Sequence, residues 1–205
     1  MKLLALETST ETLSIALGEA GADGRMRLVA GHEGPGGAQS SATLLPAVAG
    51  LLDQAGWRLQ DLSAIAFGEG PGSFTGLRTA CSVAQGLALG ADLPVLPIDT
   101  LMAVAEQGWA QHNPTDTLTG TLDGGPGQPA VLAAMDARMG EVYFGLYTRL
   151  PRPPAEPPAW AHGPVQLAAP EDIALAAAVL LAGNARAAHA ARLPAALLAL
   201  PHVDC

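Results

Sequence analysis

Gly68-Glu-Gly-Pro-Gly-Ser-Phe-Thr-Gly-Leu-Arg78 places four glycines, Gly68, Gly70, Gly72 and Gly76, within nine residues. They stand between an apolar run, Leu62 to Phe67, and a helical pattern that begins near Thr75. Glycine reaches backbone angles closed to other residues and lets a second group come close to the main chain. At a strand-to-helix turn this has two readings. One is an anion cradled at the helix N-terminus; the other is a tight turn with Ser73 or Thr75 as N-cap. It is not a P-loop: Leu77-Arg78 stands where Lys followed by Ser or Thr is needed, and the glycine spacing is wrong.

Working outward, Lys2 to Leu6 is a short apolar run closed by the polar stretch Glu7-Thr8-Ser9-Thr10. Thr12 to Leu17 and Met26 to Ala30 read as two further strands, and residues 32 to 39 as a Gly-rich loop. Leu44, Leu45, Val48, Leu51, Leu52 and Ala55 then repeat at helical spacing. Pro46 requires the first turn of that helix or a kink. With Leu62 to Phe67 and Leu93 to Ile98 as strands, and Thr75 to Gly90 as a helix, the order is strand-strand-strand-helix-strand-helix-strand.

The second half opens with a helix, Leu101 to Gln111, and a Gly- and Pro-rich loop over 112 to 129. Val131 to Asp136 and Glu141 to Thr148 read as paired strands around Ala137-Arg-Met-Gly140. Leu150 to Pro164 carries six prolines and reads as an exposed connection. A strand at 164 to 168, a short helix at 170 to 177 and a strand at 179 to 182 follow. The second half therefore repeats the element order of the first. The expected fold is α/β, of the ribonuclease-H-like (actin-like ATPase) type. It would have two duplicated halves, residues 1 to 98 and 99 to 205, each a mixed sheet flanked by helices.

The helix after the glycine loop has two faces. Leu77, Ala80, Cys81, Ala84, Leu87 and Ala88 form an ordinary core stripe, with Thr79, Ser82, Gly86 and Gly90 opposite. Each helical glycine costs about 1 kcal/mol relative to alanine. Close packing of a second helix on the small-residue face is what would offset that.

Bulk properties narrow the function. Ten Lys and Arg against nineteen Asp and Glu give a net charge of −9 over 205 residues. Phosphate binding relies on clustered cations, so a broad nucleic-acid-binding face is not expected. Cys81 and Cys205 form no motif, and few cysteines suit a reducing cytosol. The N-terminus is too short and too soon polar for a signal peptide. No apolar run reaches the roughly 18 residues a membrane span needs.

The residues of a reaction centre are not evident. His32, His112, His162, His189 and His202 never pair at i+3, i+4 or i+5, so no helical metal site is expected. No Gly-x-Ser-x-Gly elbow occurs. Ser73 reads as a cap rather than a nucleophile. Glu7-Thr8-Ser9-Thr10 reads as a degenerate phosphate loop, since a carboxylate begins it and it has no glycine. Asp136, Arg138 and Glu141 read as a salt-bridged group across a hairpin.

Several stretches together resemble the TsaB family, also called YeaZ. They are Leu3-Leu-Ala-Leu-Glu-Thr-Ser9, Ser41-Ala-Thr-Leu-Leu-Pro46, the Gly68 to Arg78 loop, Ala84-Gln-Gly-Leu-Ala-Leu-Gly90, Ile98-Asp-Thr-Leu101 and Met135-Asp-Ala-Arg-Met-Gly-Glu-Val-Tyr143. The resemblance is strong to about residue 148 and weak after it. It implies an actin-like ATPase fold and a non-catalytic, dimerising and activating role in tRNA threonylcarbamoyladenosine (t6A) modification. The implied partners are the related catalytic subunit TsaD and a TsaE-type ATPase, with a homodimer when the chain is alone, in the cytoplasm. Contact with tRNA would come mainly through those partners.

For the site, the resemblance implies a partner interface of Leu44, Val48, Thr79, Ser82, Val83, Gly86 and Gly90. The glycine-loop motif is Gly70, Pro71, Gly72, Ser73, Phe74, Thr75, Gly76 and Arg78. No cofactor or metal is expected: Ser40, Ser41 and Thr43 stand in the region where the catalytic relative carries its His-x-x-x-His pair. ATP or ADP at a subunit boundary is the one nucleotide alternative. Two departures stand out. Glu7 replaces the usual Asp, and the chain ends at Cys205, before the C-terminal helix expected of the family. The competing function is a stand-alone nucleotide hydrolase or a glycoprotease-like peptidase.

Overall fold

Alternation of buried and open positions builds the first sheet. Along β1 (Lys2–Glu7), Leu4 and Leu6 are fully buried while Ala5 between them is exposed. Along β2 (Thr12–Ala20), Leu13, Ile15 and Leu17 repeat the pattern. A period of two puts those leucines on one face, and that face takes the helices. The computed structural model describes residues 1–22, 25–113, 129–150, 159–174 and 178–205. It divides into two compact units, Met1–Thr100 and Leu101–Cys205.

In the first unit the strand order is β3-β2-β1-β4-β5, with β3 (Met26–Pro35), β4 (Ala64–Gly70) and β5 (Val95–Asp99). β1, β2 and β3 are antiparallel neighbours, and β1-β4 and β4-β5 are parallel. This mixed sheet with an antiparallel meander at one side is the ribonuclease-H-like arrangement. α1 (Ser40–Ala55) and α2 (Phe74–Ala91) supply Leu44, Val48, Leu51, Leu52, Ala80, Ala84 and Ala88 to a single core against it. α1 stops at Gly56, whose φ of 66° makes a left-handed C-cap.

In the second unit β6 (Ala130–Arg138) is buried on both faces from Ala130 to Met135. Val131, Ala133 and Met135 pack with Leu101, Val104, Ala105 and Trp109 of α3 (Thr100–His112). Leu132 and Ala134 pack with Ile173, Ala185, Leu193 and Leu197. The sheet order is β11-β10-β6-β7-β8, with β9 also pairing β7. Here β7 is Glu141–Arg149, β8 Trp160–His162, β9 Gln166–Ala168, β10 Leu180–Ala182 and β11 His202–Val203. Arg149 donates to Glu106 Oε2 at 2.9 Å, and Trp160 Nε1 donates to the same oxygen at 2.8 Å, tying β7 and β8 to α3.

The sequence reading is corrected at several points. Residues 32 to 35 are not part of a loop, because the ladder of β3 to β2 runs on through Thr12↔Pro35; only 36 to 39, with a 3-10 turn at Gly37–Gln39, connect β3 to α1. As an edge strand β3 tolerates Gly and Pro, since one side needs no partner strand. Pro46 lies seven residues into α1, not in its first turn. The Ala42 carbonyl there has no backbone N–H four residues on. The stretch from 150 to 164 contains β8. Residues 170 to 177 start as a 3-10 turn, Pro170–Asp172, and 175–177 lie outside the described residues. Most of the 112 to 129 loop lies outside them too.

Two short helices, α4 (Ala185–His189) and α5 (Ala195–Leu198), and β11 went unassigned from sequence. Helices of one turn show no periodicity. α4 is tied down by His189 Nε2, which donates to Asp136 Oδ1 at 2.9 Å. Arg192, just beyond it, bonds Glu171 and holds that carboxyl below the usual carboxylate range.

Leu44 and Val48, placed on the partner interface by the resemblance, are core residues at 0% and 2% exposure. Leu44→Ala is expected to destabilise the first unit by about 2–5 kcal/mol, the usual cost of truncating a buried leucine. A urea titration followed by circular dichroism measures it; a change within 0.5 kcal/mol would mean Leu44 is not in the core.

Candidate functional site

The glycine turn and the first loop are two halves of one structure. Thr8 is fully buried, and its hydroxyl donates to the Gly76 carbonyl at 2.7 Å. The Ser73 N–H donates to the Ser9 carbonyl at 2.7 Å. A methyl group on Gly76 would overlap the Thr8 carbonyl, and one on Gly72 would overlap Ser9. The turn is therefore glycine-rich because the 7 to 10 loop lies directly against its backbone. Ser73 is the N-cap of α2 and accepts from the Gly76 N–H at 3.5 Å. Pro71 follows Gly70 through a cis peptide bond.

Glu7 completes the arrangement. Its Oε1 accepts the Ser9 N–H at 2.6 Å, and its Oε2 accepts from the Thr100 hydroxyl at 3.4 Å. Thr100 Oγ1 lies 3.2 Å from Ser9 Oγ and accepts the Gly70 N–H at 3.2 Å. A methyl group on Gly68 would overlap the Glu7 carboxylate. The chain's own anion thus fills the space above Gly68 and takes the Ser9 N–H. Thr8 and Ser9 are 0% and 3% exposed, and only Thr10 of the four loop residues has neither a buried nor a carboxylate side chain. Thr100 is the residue that sequence reasoning missed here; it stands in the Ile98 to Leu101 stretch, 91 residues from Ser9.

The second feature is the outer face of α2. Ser82, Gly86 and Gly90 are exposed, Thr79 and Val83 half-buried. Nothing lies within 4 Å of a Cβ built on Gly86 or Gly90. A groove of about 440 Å³ runs along this face, lined by Ser41 of α1 and by Phe74, Arg78, Thr79, Ser82 and Val83. Thr75 borders it too. Phe74 is 67% exposed, with the Arg78 guanidinium carbon 3.4 Å from its ring centroid. Leu89, 87% exposed, falls on the same stripe. Leu89, Phe74 and Arg78 were not assigned to this surface from sequence, although 100° spacing places Leu89 and Arg78 beside Ser82.

In the second unit, Asp136 does not stand alone with Arg138 and Glu141. Its Oδ1 accepts the Arg138 N–H at 3.0 Å and the His189 contact, and its own N–H donates to Asn184 Oδ1 at 2.8 Å. Among the described residues no group of three or more His, Cys, Asp or Glu is placed to hold a metal ion. No described helix is long and apolar enough to cross a membrane.

This architecture defines an α/β protein of the actin-like ATPase class. Residues 32–153 match the family model described as TsaD: tRNA N6-adenosine threonylcarbamoyltransferase. The chain is 40% identical over 149 residues to the tRNA threonylcarbamoyladenosine biosynthesis protein TsaB of Escherichia coli, 73% of this chain and 56% of that protein. It is 33% identical over 147 residues to the Bacillus subtilis protein of the same name, 72% of this chain and 55% of the relative. The solved YeaZ from Pseudomonas aeruginosa superposes with a TM-score of 0.69 at 36% identity, covering 98% of this chain and 86% of that one. Another solved relative, with a TM-score of 0.70 and the same identity and coverage, is described as an uncharacterized protein similar to peptidase YeaZ from Pseudomonas aeruginosa. The chain belongs to the TsaB/YeaZ family. Its matches span about half the length of the curated relatives.

Two glycines of α2 should respond in opposite ways to one added methyl. Gly76→Ala drives a Cβ into the Thr8 carbonyl and is expected to destabilise by about 1–3 kcal/mol or more. Gly86→Ala meets open space and is expected to stabilise the isolated chain by up to about 1 kcal/mol. Paired urea titrations read both; equal effects would contradict the geometry.

Proposed function

We propose that this chain is a non-catalytic, activating subunit of the t6A machinery and that it binds its TsaD-type catalytic partner through the outer face of α2. The observation that carries the reading is that face: two exposed glycines and a serine beside a groove with an exposed Phe74 and Leu89. Helix-interior glycines with nothing above them lower stability in the free chain. A helix from a partner seated against Gly86 and Gly90 would restore contact at close range. Alone, two copies of the chain would pair through the same surface. Thr79, Ser82, Val83, Gly86 and Gly90 are the interface, joined by Phe74, Arg78 and Leu89; Leu44 and Val48 support it from the core.

The first loop supports a role without nucleotide chemistry of its own. A nucleotide phosphate at that loop would meet the Glu7 carboxylate. Like charges at such range repel strongly. In this reading nucleotide, if it is bound, belongs to the boundary with the partner, and tRNA phosphates are met by the partner and the TsaE-type ATPase rather than by a chain of net charge −9. The setting is the cytoplasm, where tRNA is modified.

Reconstitution tests the reading. The transferase subunit, the ATPase, the enzyme that makes threonylcarbamoyl-adenylate and unmodified tRNA are combined with and without this chain, and modified adenosine is quantified. Modification is expected to require the chain. Gly86→Leu is expected to leave the circular dichroism spectrum intact and to weaken partner binding about tenfold or more, as for a central interface position. Full modification in the absence of the chain would sink the reading. Peptide or ATP hydrolysis by the purified chain, lost in Ser73→Ala, would favour the stand-alone hydrolase or peptidase instead.

A further inference from the structure

Ser9 is held from both sides of its backbone. Its N–H donates to Glu7 Oε1 at 2.6 Å, and its carbonyl accepts the Ser73 N–H at 2.7 Å. Ser73 is the N-cap of α2, and its own carbonyl accepts the Leu77 N–H at 2.9 Å. A single residue therefore links the Glu7 carboxylate to the first turn of α2. The Thr8 hydroxyl on the Gly76 carbonyl runs beside that link.

The carboxylate lies in a space suited to an anion. Thr100 gives its one hydroxyl proton to Glu7 Oε2 at 3.4 Å. The Ser9 hydroxyl, 3.2 Å from Thr100 Oγ1, is then the donor to Thr100. One N–H and two hydroxyls thus point to one carboxylate, directly or in relay. Ser9 and Thr100 are each 3% exposed, so water does not replace a lost partner at low cost. The three atoms nearest a Cβ built on Gly68 all belong to the Glu7 carboxylate. Hydrogen bonds to a charged acceptor are roughly twice as strong as neutral ones, which favours an anion there over a neutral group.

We propose that the space above Gly68 is an anion seat with an internal ligand, the Glu7 carboxylate, and that its occupancy fixes the first turn of α2 for binding the catalytic partner. Glu7 is then a positioning residue, acting on the α2 face through Ser9 and Ser73. Once the Glu7 side chain is cut back, a free carboxylate of matching size, formate, takes the seat. The role in partner binding rests on the reading of α2 as the partner surface; the seat itself does not.

The test uses the full chain with Glu7→Ala and Glu7→Gln, in formate and in chloride at equal ionic strength. Tm, amide exchange at Ser73 and affinity for the transferase subunit are measured. In chloride, Glu7→Ala is expected to exchange the Ser73 amide about tenfold faster than the wild type and to bind the subunit about tenfold more weakly. Formate at about five times its Kd is expected to raise the Tm of Glu7→Ala by roughly 2–4 °C and to return the other two readings toward wild type. Glu7→Gln fills the seat with an amide and is expected to gain nothing from formate. No response of Glu7→Ala to formate, an equal response of the wild type and Glu7→Gln, or a Glu7→Ala chain that stays unfolded in formate would each overturn the anion seat. Formate that restores Tm but leaves Ser73 exchange fast would overturn the positioning role. A wild-type chain that does not bind the transferase subunit would remove the subunit reading, while Tm and exchange still decide the seat and its hold on α2.

Discussion

Everything in the first unit depends on the seating of one loop on another. The buried Thr8 hydroxyl on the Gly76 carbonyl joins the end of β1 to the start of α2 across 68 residues. Parallel pairing of β1 with β4 brings the two loops to the same end of the sheet. Their approach is so close that side chains are excluded at Gly72 and Gly76. Buried polar groups must be satisfied to be tolerated, and here Thr8, Ser9 and Thr100 satisfy one another and the backbone. The position of α2 follows, and with it the direction of its outer face.

That seating explains why a glycine-rich strand-to-helix turn need not be a phosphate site. The same backbone geometry that can cradle an external anion is occupied from within, by Glu7 and the polar groups around it. A carboxylate there does what a bound anion would do for the buried N–H of Ser9, without a ligand. The loop end of the first sheet is filled by the chain's own side chains, and the exposed small-residue surface lies along α2.

The second unit is built differently under a similar element order. Its central strand β6 is buried on both faces, and the segment around α4 and α5 supplies one of the two layers. Those helices are too short to be stable alone, since helix nucleation is unfavourable and one turn does not repay it. They persist through Ala185, Leu193 and Leu197 in the core and through His189 and Arg192 on the hairpin. The tail thus braces the Asp136 to Gly140 turn.

The amino-acid sequence by itself determined the order of the main elements as far as β7, the glycine turn, an N-cap at either Ser73 or Thr75, and the apolar stripe of α2. Each of these is local: hydrophobic period, glycine freedom and capping act within a few residues. Family membership was legible too, because the motifs that carry it are contiguous. Only the tertiary structure decided what the glycines touch, since Thr8 and Thr100 are distant in sequence. It alone placed Leu44 and Val48 in the core rather than on the surface, because a helix with apolar residues on one face does not announce which neighbour covers it. It paired His189 with Asp136, and it extended β3 through Gly34 and Pro35 by ladder pairing that local propensity opposes. In each case the deciding contact spans tens of residues, and no short window of sequence contains both of its ends.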